Sequence, residues 1–517
     1  MADSSSAQAG DGPVYAPDSK LPAGTLIFTI LQHFFALAVY MTYPVIISGA
    51  IGGTENMTVT LISATLIGCG IATILQASRR LGSGQVLPII PNSSYLPASL
   101  LAATGGGLPM LYGMLIAGGL FEMLLSRLTR FFRHVFPVEI CGTVLFLLGI
   151  AIVPFAFPLF CGSTDSSPLD PAATLVGIIT LASMVLLSVI KKRIFKFYSL
   201  LIGIIIGFIA AVIFGVFDPM QFSQITSIPV FAVPEFAFFT GYAFNPALLA
   251  PFIIAVICLV MKTSGNIMLL DKYTKNESKT SLRKGLFSEG LGLMISGVLG
   301  GIGTGTSSSA AGLVVSTGVA ARRVGIGLGI LMIICGFMPV FGWFFNLIPK
   351  PILGAVLIYA VVYVMMSGIT DIASRVLDSR RIFVVLLPIL FGVSSAVCSF
   401  LYSSLPQVAE YFLASPLTAG SVVAVVLGLL LKIGIPHHKT LVLQQKTAEV
   451  NQFVMDCAGM WTLDKLQSAS IAAELSQAVE DSVSAQSLTL SMHKREVIEA
   501  DILSADGTVQ HLSYPCL

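Results

Sequence analysis

Leu87-Pro-Ile-Ile-Pro-Asn-Ser-Ser-Tyr-Leu-Pro97 puts three prolines into eleven residues, and Gly300-Gly-Ile-Gly-Thr-Gly-Thr-Ser-Ser-Ser309 opens on alternating glycines. Both stretches interrupt an otherwise apolar chain. Neither can run as a continuous helix facing lipid, where each unpaired backbone group costs several kcal/mol. Their positions decide the fold. Apolar runs of roughly 20 residues, enough to span a bilayer, lie near 25–47, 57–77, 86–104, 108–127, 138–158, 172–190 and 198–217. A second set lies near 246–270, 284–302, 307–321, 325–347, 352–369, 382–402 and 416–434. The broken stretches fall in the third run of each set. Paired interrupted helices at matching places point to an inverted-repeat transporter with its site near the bilayer midplane. The bland alternative is a pair of kinked packing helices.

Composition agrees with a lipid solvent. Of 517 residues, 55% are hydrophobic and 10% charged, against about 25% charged in soluble domains. The net charge of +2 gives no reason to expect nucleic acid. The eight cysteines form no CxxC pair and read as small core hydrophobes. No cofactor or metal is expected. Gly303-Thr-Gly305 lacks the Lys-Ser/Thr of a phosphate loop, so no enzyme is expected.

With the N-terminus inside, Arg79, Arg80, Arg127, Arg130, Arg133, Lys191, Lys192, Arg193, Lys196, Lys272, Lys275, Lys279, Arg283 and Lys284 fall on the cytoplasmic side. Arg322, Arg323, Arg375, Arg380 and Arg381 join them, and Lys350 alone falls opposite. This asymmetry predicts a multi-pass cell-membrane protein with both termini cytoplasmic. Residues 1–22 read as a disordered tail without a signal peptide, 23–435 as the transporter domain, and 436–517 as a small α+β appendage. In the appendage, Leu466–Val483 has helical periodicity. The run 500–513 alternates about Asp506-Gly507, a hairpin signal.

Several motifs resemble the nucleobase–ascorbate transporter family, the uracil and xanthine permeases. These are Gln32-His33 in the first run, Ser94-Tyr95 in the broken third, Ser288-Glu-Gly-Leu with Ser296-Gly-Val-Leu-Gly-Gly301 in the ninth, and Gly312 with Thr317 in the tenth. The resemblance covers about 24–435. It implies an all-α fold of fourteen segments in seven-plus-seven inverted repeats. Segments 1–4 and 8–11 would form a core and segments 5–7 and 12–14 a gate, with elevator-like movement and a homodimer. It also places the substrate between the half-helices, near Ser94, Tyr95, His33, Lys262, Asn266, Ser309 and Ala310.

The departures from the family pattern bear on substrate. Lys262 stands where the family's eighth helix carries a base-reading carboxylate. Ser309 and Ala310 stand where the tenth helix carries an acid or amide followed by Asn. An ionisable group deep in a membrane helix usually faces a cavity or a partner. Lys262 therefore reads as a contact for an anionic substrate, as one half of an ion pair with a carboxylate such as Glu289, or as a snorkelling cation. His33 reads as an interhelix hydrogen-bonding group or a proton carrier, and Asn266 as a supporting or packing amide. Glu139 and Glu289 read as acids near cytoplasmic helix starts, complementing the dipole. The expected function is transport of a nucleobase-like solute of xanthine, urate or uracil type, including its anion. Transport of a small inorganic or carboxylate anion on the same fold is the alternative. The coupling ion, proton or sodium, stays open.

Overall fold

The computed structural model describes residues 13–135, 138–163, 169–190, 193–218, 220, 228–275, 281–402, 413, 416–431, 438–442, 446–461, 464–481, 485–493, 497–504 and 509–515. Helices of eight or more residues are numbered in chain order. The first half holds α1 (Ala23–Ala38), α2 (Thr42–Ala50), α3 (Glu55–Ala77), β1 (Ile89–Pro91), α4 (Leu96–Val135), α5 (Val138–Phe160), α6 (Pro171–Val189) and α7 (Arg193–Ile213). The second holds α8 (Leu249–Thr274), α9 (Ser281–Leu299), β2 (Thr304–Thr306), α10 (Ser308–Thr317), α11 (Arg322–Gly336), α12 (Pro339–Asn346), α13 (Lys350–Ala373), α14 (Ser379–Val397) and α15 (Pro416–Leu430).

Local chemistry sets several helix starts. The Thr54 hydroxyl accepts from Met57 N–H at 3.3 Å, with Glu55 in the first turn of α3. The Asp170 carboxylate accepts from Ala172 and Ala173 N–H ahead of Pro171 in α6. Such caps satisfy N–H groups that lack intrahelical partners. Among the described residues, eight helices are long and apolar enough to cross a membrane. The bent pair α11–α12, turned by 80°, makes a ninth, and shorter apolar helices lie at Tyr198–Ile213 and Pro416–Leu430. The expected third and fourth runs merge in α4. Gly107, with a φ of 70°, interrupts it two residues before Pro109.

Packing shows the inverted repeat directly. If each half is numbered one to seven, α3 and α9 are both second segments, and α4 and α11 both fourth. The observed pairs α4–α9 and α3–α11 exchange under that equivalence. The pairs α5–α13 and β1–β2 map onto themselves. Each of the three helix crossings is a glycine facing a glycine: Gly119–Gly290, Gly70–Gly329 and Gly142–Gly368. A Cβ added at any of the six would lie 2.5–2.8 Å from the facing carbonyl oxygen. Small residues of this kind let backbones meet where lipid supplies no hydrophobic drive. Helices α1–α4 and α8–α12 form the core; α5–α7 and α13–α15 pack among themselves as the gate. A buried ion pair between Glu139 of α5 and Arg381 of α14 ties the gate.

The region after the membrane helices folds as β3 (His438–Val442), α16 (Lys446–Trp461), α17 (Lys465–Asp481), β4 (Ala485–His493), β5 (Val497–Ser504) and β6 (Val509–Pro515). The strands form one antiparallel sheet in the order β3-β4-β5-β6. Leu488, Leu490, Ile498, Ala500 and Ile502 point from it onto Val450, Val454, Leu475 and Val479 of the helices. Burial there pushes the Cys457 thiol up to about 12, which suits an inert core residue. The Asp506-Gly507 turn lies outside the described residues. Lys465 N–H donates to Ser374 O at 3.0 Å, seating the appendage on the α13–α14 connection.

The expectation of a disordered tail is corrected for residues 13–22. Tyr15 exchanges backbone hydrogen bonds with Gly318 and Ala320 at 3.0 and 2.9 Å. Asp18 pairs with both Arg79 and Arg322. Composition cannot show this, because the pairing partners lie 61 residues away at Arg79 and some 300 away at Gly318, Ala320 and Arg322. Residues 1–12 lie outside the described part.

Candidate functional site

The two broken stretches meet. β1 and β2 pair antiparallel and fully buried, with Ile89 opposite Thr306, Ile90 opposite Gly305 and Pro91 opposite Thr304. Each strand runs into a helix start: β1 through the turn Ser93–Tyr95 into α4, β2 into α10. The free N–H groups and positive ends of two half-helices therefore flank one short sheet. The glycines of β2 are a packing demand. A Cβ at Gly303 would lie 2.3 Å from Tyr95 Cβ, and one at Gly305 would lie 2.5 Å from Leu259 Cδ2.

So small a sheet needs clamps, and they obey the repeat. In the first half, Thr73 of α3 accepts from Ile89 N–H at 3.0 Å. In the second, Glu289 of α9 accepts from Thr306 N–H at 2.7 Å. Asn92 joins the halves: its Nδ2 donates to Thr306 O and its Oδ1 accepts from Ser94 N–H, both at 3.0 Å. Thr263 of α8 donates to Glu289 Oε1 at 2.9 Å and lies 2.6 Å from the Thr306 hydroxyl. The Asn266 amide donates to that hydroxyl at 3.4 Å.

Glu289 is thus misplaced by the sequence reading. It sits eight residues into α9, fully buried, and holds the strand rather than complementing a helix start. Its neighbour is a second fully buried carboxyl, Glu122 of α4. Sequence reasoning passed over Glu122, although an acid inside an apolar run is the same signal that picked out Lys262. The Tyr95 hydroxyl donates to Glu122 Oε2 at 3.2 Å.

The remaining expected residues divide. Ser94 is fully buried, and its hydroxyl has no hydrogen-bond partner. Tyr95 turns its ring to Glu122, so only its backbone can serve the cleft. Lys262 lies roughly 100° round α8 from Thr263, half-buried at the seam between core and gate. The charges of Glu289 in the core and Asp371 of α13 in the gate both reach it. It closes no salt bridge at 4.0 Å among the described residues, which leaves the ion-pair and substrate readings joined at one place. The Ala310 methyl lies in the apolar cluster with Phe34 and Leu37, leaving its backbone N–H. The Ser309 side chain lies outside the described residues. His33 is fully buried within α1; its Nδ1 donates to Thr29 O at 2.9 Å and Nε2 has no partner. The Thr304 hydroxyl is likewise buried without a partner. Unpaired buried polar atoms are uncommon and mark places for water or ligand.

Two cavities lie elsewhere. One of about 840 Å³ is lined by Ile51, Thr54, Thr104, Tyr112 and Glu235, and one of about 460 Å³ by Asn56, Ser63, Pro229 and Trp343. Both open at the connections between α2 and α3 and ahead of α8, away from β1–β2. Among the described residues no three His, Cys, Asp or Glu side chains group as a metal would require.

Inverted halves, buried strands between half-helices and a bundle of membrane-crossing helices define a polytopic membrane transporter. The chain belongs to the xanthine/uracil-type Permease family, whose model matches residues 24–400. A putative purine permease of Clostridium perfringens is 27% identical over 424 residues, 81% of this chain and 93% of the relative. The uric acid permease PucK of Bacillus subtilis is 28% identical, covering 77% of this chain and 93% of its own. The xanthine permease of the same organism is 27% identical, covering 78% and 93%. The solved structure of SLC26A9 aligns with a TM-score of 0.50 at 12% identity, over 83% of this chain and 69% of that one. That likeness concerns fold alone.

Proposed function

We propose that this protein carries an oxidised purine base of the xanthine or urate type across the cell membrane, with both termini cytoplasmic. The names of its relatives support a purine over the small-anion alternative, since the SLC26A9 likeness is one of fold. The observation that carries the reading is the β1–β2 pair. It offers two helix starts, the free Ser94 and Thr304 hydroxyls, and Asn266 behind Thr306. A flat base with several carbonyls matches such a row of donors. In this reading the backbone N–H groups of Ser309 and Ala310 face the base, and His33 stiffens α1.

Lys262 sets the form that is bound. An anionic base entering the seam becomes a direct partner of the ammonium, which Glu289 and Asp371 reach only at longer range. That contact would favour closure of core on gate and an elevator-like passage, in a homodimer joined through gate helices. A thermal-shift screen of purified protein against xanthine, urate, uracil, sulfate and bicarbonate tests the reading. Stabilisation by xanthine or urate is expected, and stabilisation by the inorganic anions alone would overturn it.

A further inference from the structure

Residues 13–22 lie as a strap across one end of the core, and the strap has a counterpart at the other end of α3. Pro13-Val-Tyr-Ala-Pro-Asp-Ser-Lys-Leu-Pro22 carries three prolines, which keep a chain extended and leave it less conformational entropy to lose on docking. Its residues alternate between half-buried and exposed from Pro13 to Pro22, as in an extended chain lying flat on a surface. Tyr15 N–H donates to Gly318 O at 3.0 Å, Tyr15 O accepts from Ala320 N–H at 2.9 Å, and Pro17 O accepts from Arg322 N–H at 3.0 Å. The segment that leads into α1 thus crosses the α10–α11 connection of the other half. The segment that leads into α8 does the same in reverse. Ala243 N–H donates to Pro109 O at 2.9 Å across the bend of α4, and the Tyr242 hydroxyl donates to Val298 O at 2.8 Å near the end of α9. Gly318 and Gly107, which turn the two crossed connections, have φ of 71° and 70°. Two lead-ins set alike by the inverted repeat mark a device of the fold.

The first strap is also fastened by charge. Asp18 pairs with Arg79, two residues past the end of α3, and with Arg322 at the start of α11. Lys284 of α9 donates to Arg79 O at 3.0 Å. Arg79 stands on the chain that leads into β1, and Arg322 on the chain that leaves α10. Beneath them, Tyr15 and Leu21 pack on a buried cluster that holds Leu87, two residues before β1, together with Ala311 and Val314 of α10. Leu87 and Ala311 adjoin the two sides of the paired-strand cleft.

We propose that residues 13–22 are a positioning element of the substrate site, fastened by Asp18: tying the approach to β1 to the exit from α10 holds the two half-helix starts in register for substrate. The link to substrate rests on the transporter reading above. Asp18 itself touches no substrate and acts through the cluster around Leu87 and Ala311. Because Asp18 and Arg79 are exposed, each ion pair is worth little alone and weakens with salt. The strap is therefore adjustable, and its loosening lowers affinity without abolishing binding.

Hydrogen exchange read by mass spectrometry on the full-length protein tests the strap. In Asp18→Asn the amides of Ala320 and Arg322, which bond to the strap, should exchange faster, while that of Ala243 on the opposite strap stays as it was. Asp18→Glu should restore protection. Unchanged exchange at Ala320 and Arg322 would overturn the proposal, and so would an equal rise at Ala243, which would mean general loosening. The wild type alone gives a check that needs no variant to fold. Raising salt from about 0.01 M to about 1 M shortens the screening length from about 30 Å to about 3 Å, and should speed the same two amides and spare Ala243; no such difference would count against the fastening. Affinity for xanthine or urate should fall about three- to tenfold in Asp18→Asn and recover in Asp18→Glu, with melting nearly unchanged. Faster exchange with equal affinity would overturn the link to substrate. If the wild type binds no purine, the substrate reading fails and the exchange result still decides the strap.

Discussion

Adjacent glycines in α4 give the sharpest structural prediction. An alanine at Gly119 places its Cβ 2.6 Å from Gly290 O and 2.7 Å from Met294 N, both backbone atoms of α9, where ordinary contact starts at 3.4 Å. No rotamer change relieves this, so the helices must part by about 0.8 Å, an overpacking of the kind that costs about 1–3 kcal/mol. The same movement draws Glu122 of α4 away from Gly290 of α9, the neighbour of the Glu289 that clamps Thr306. An alanine at Gly118 meets nothing closer than Leu293 Cδ2 at 3.6 Å, and Gly→Ala inside a helix gains roughly 0.5–1 kcal/mol. Melting in detergent should therefore drop for Gly119→Ala and hold or rise for Gly118→Ala. Base affinity should follow the same order. Equal melting of the two variants would refute the close crossing and the clamp built on it.

Other variants test separate parts. Lys262→Met should weaken binding of an anionic base at least ~10-fold with a small change in melting; a steep loss of melting with intact affinity would mark a purely structural ion pair. Asn92→Ala strands the buried Thr306 carbonyl and Ser94 N–H, at about 1–3 kcal/mol each, and should abolish measurable base binding in a still-folded protein; retained affinity would remove Asn92 from the site. Arg381→Met leaves Glu139 buried alone in the gate and should cost about 3–5 kcal/mol, read as a large melting loss that a second change, Glu139→Gln, partly restores.

The sequence shows the fold more plainly than the site, for a physical reason. Prolines in 87–97 and glycines in 300–305 break the apolar pattern outright, so the paired half-helices were legible from spacing. Gly119, Gly290 and their counterparts were not, since a glycine in a membrane helix says nothing about which helix it meets. Lys262 stood out as a lone charge. Glu122 carries the same signal inside a longer apolar run, and Glu289 lies deeper than the sequence suggests because α9 begins already at Ser281. The order of residues 13–22 depends on Gly318, Arg79 and Arg322, contacts that local composition cannot encode. Ala310 stands where the family pattern has a polar residue, yet its methyl suits the apolar cluster beside α1.

The most direct measurement is uptake of radiolabelled xanthine and urate into proteoliposomes holding the purified protein, wild type beside Asn92→Ala. The β1–β2 site predicts uptake by the wild type, competed by unlabelled xanthine or urate but not by sulfate, and none above background by the variant. Equal uptake by both proteins would place the substrate away from the paired strands and contradict the account. Absence of purine uptake by the wild type, with transport of sulfate or bicarbonate instead, would contradict the substrate assignment.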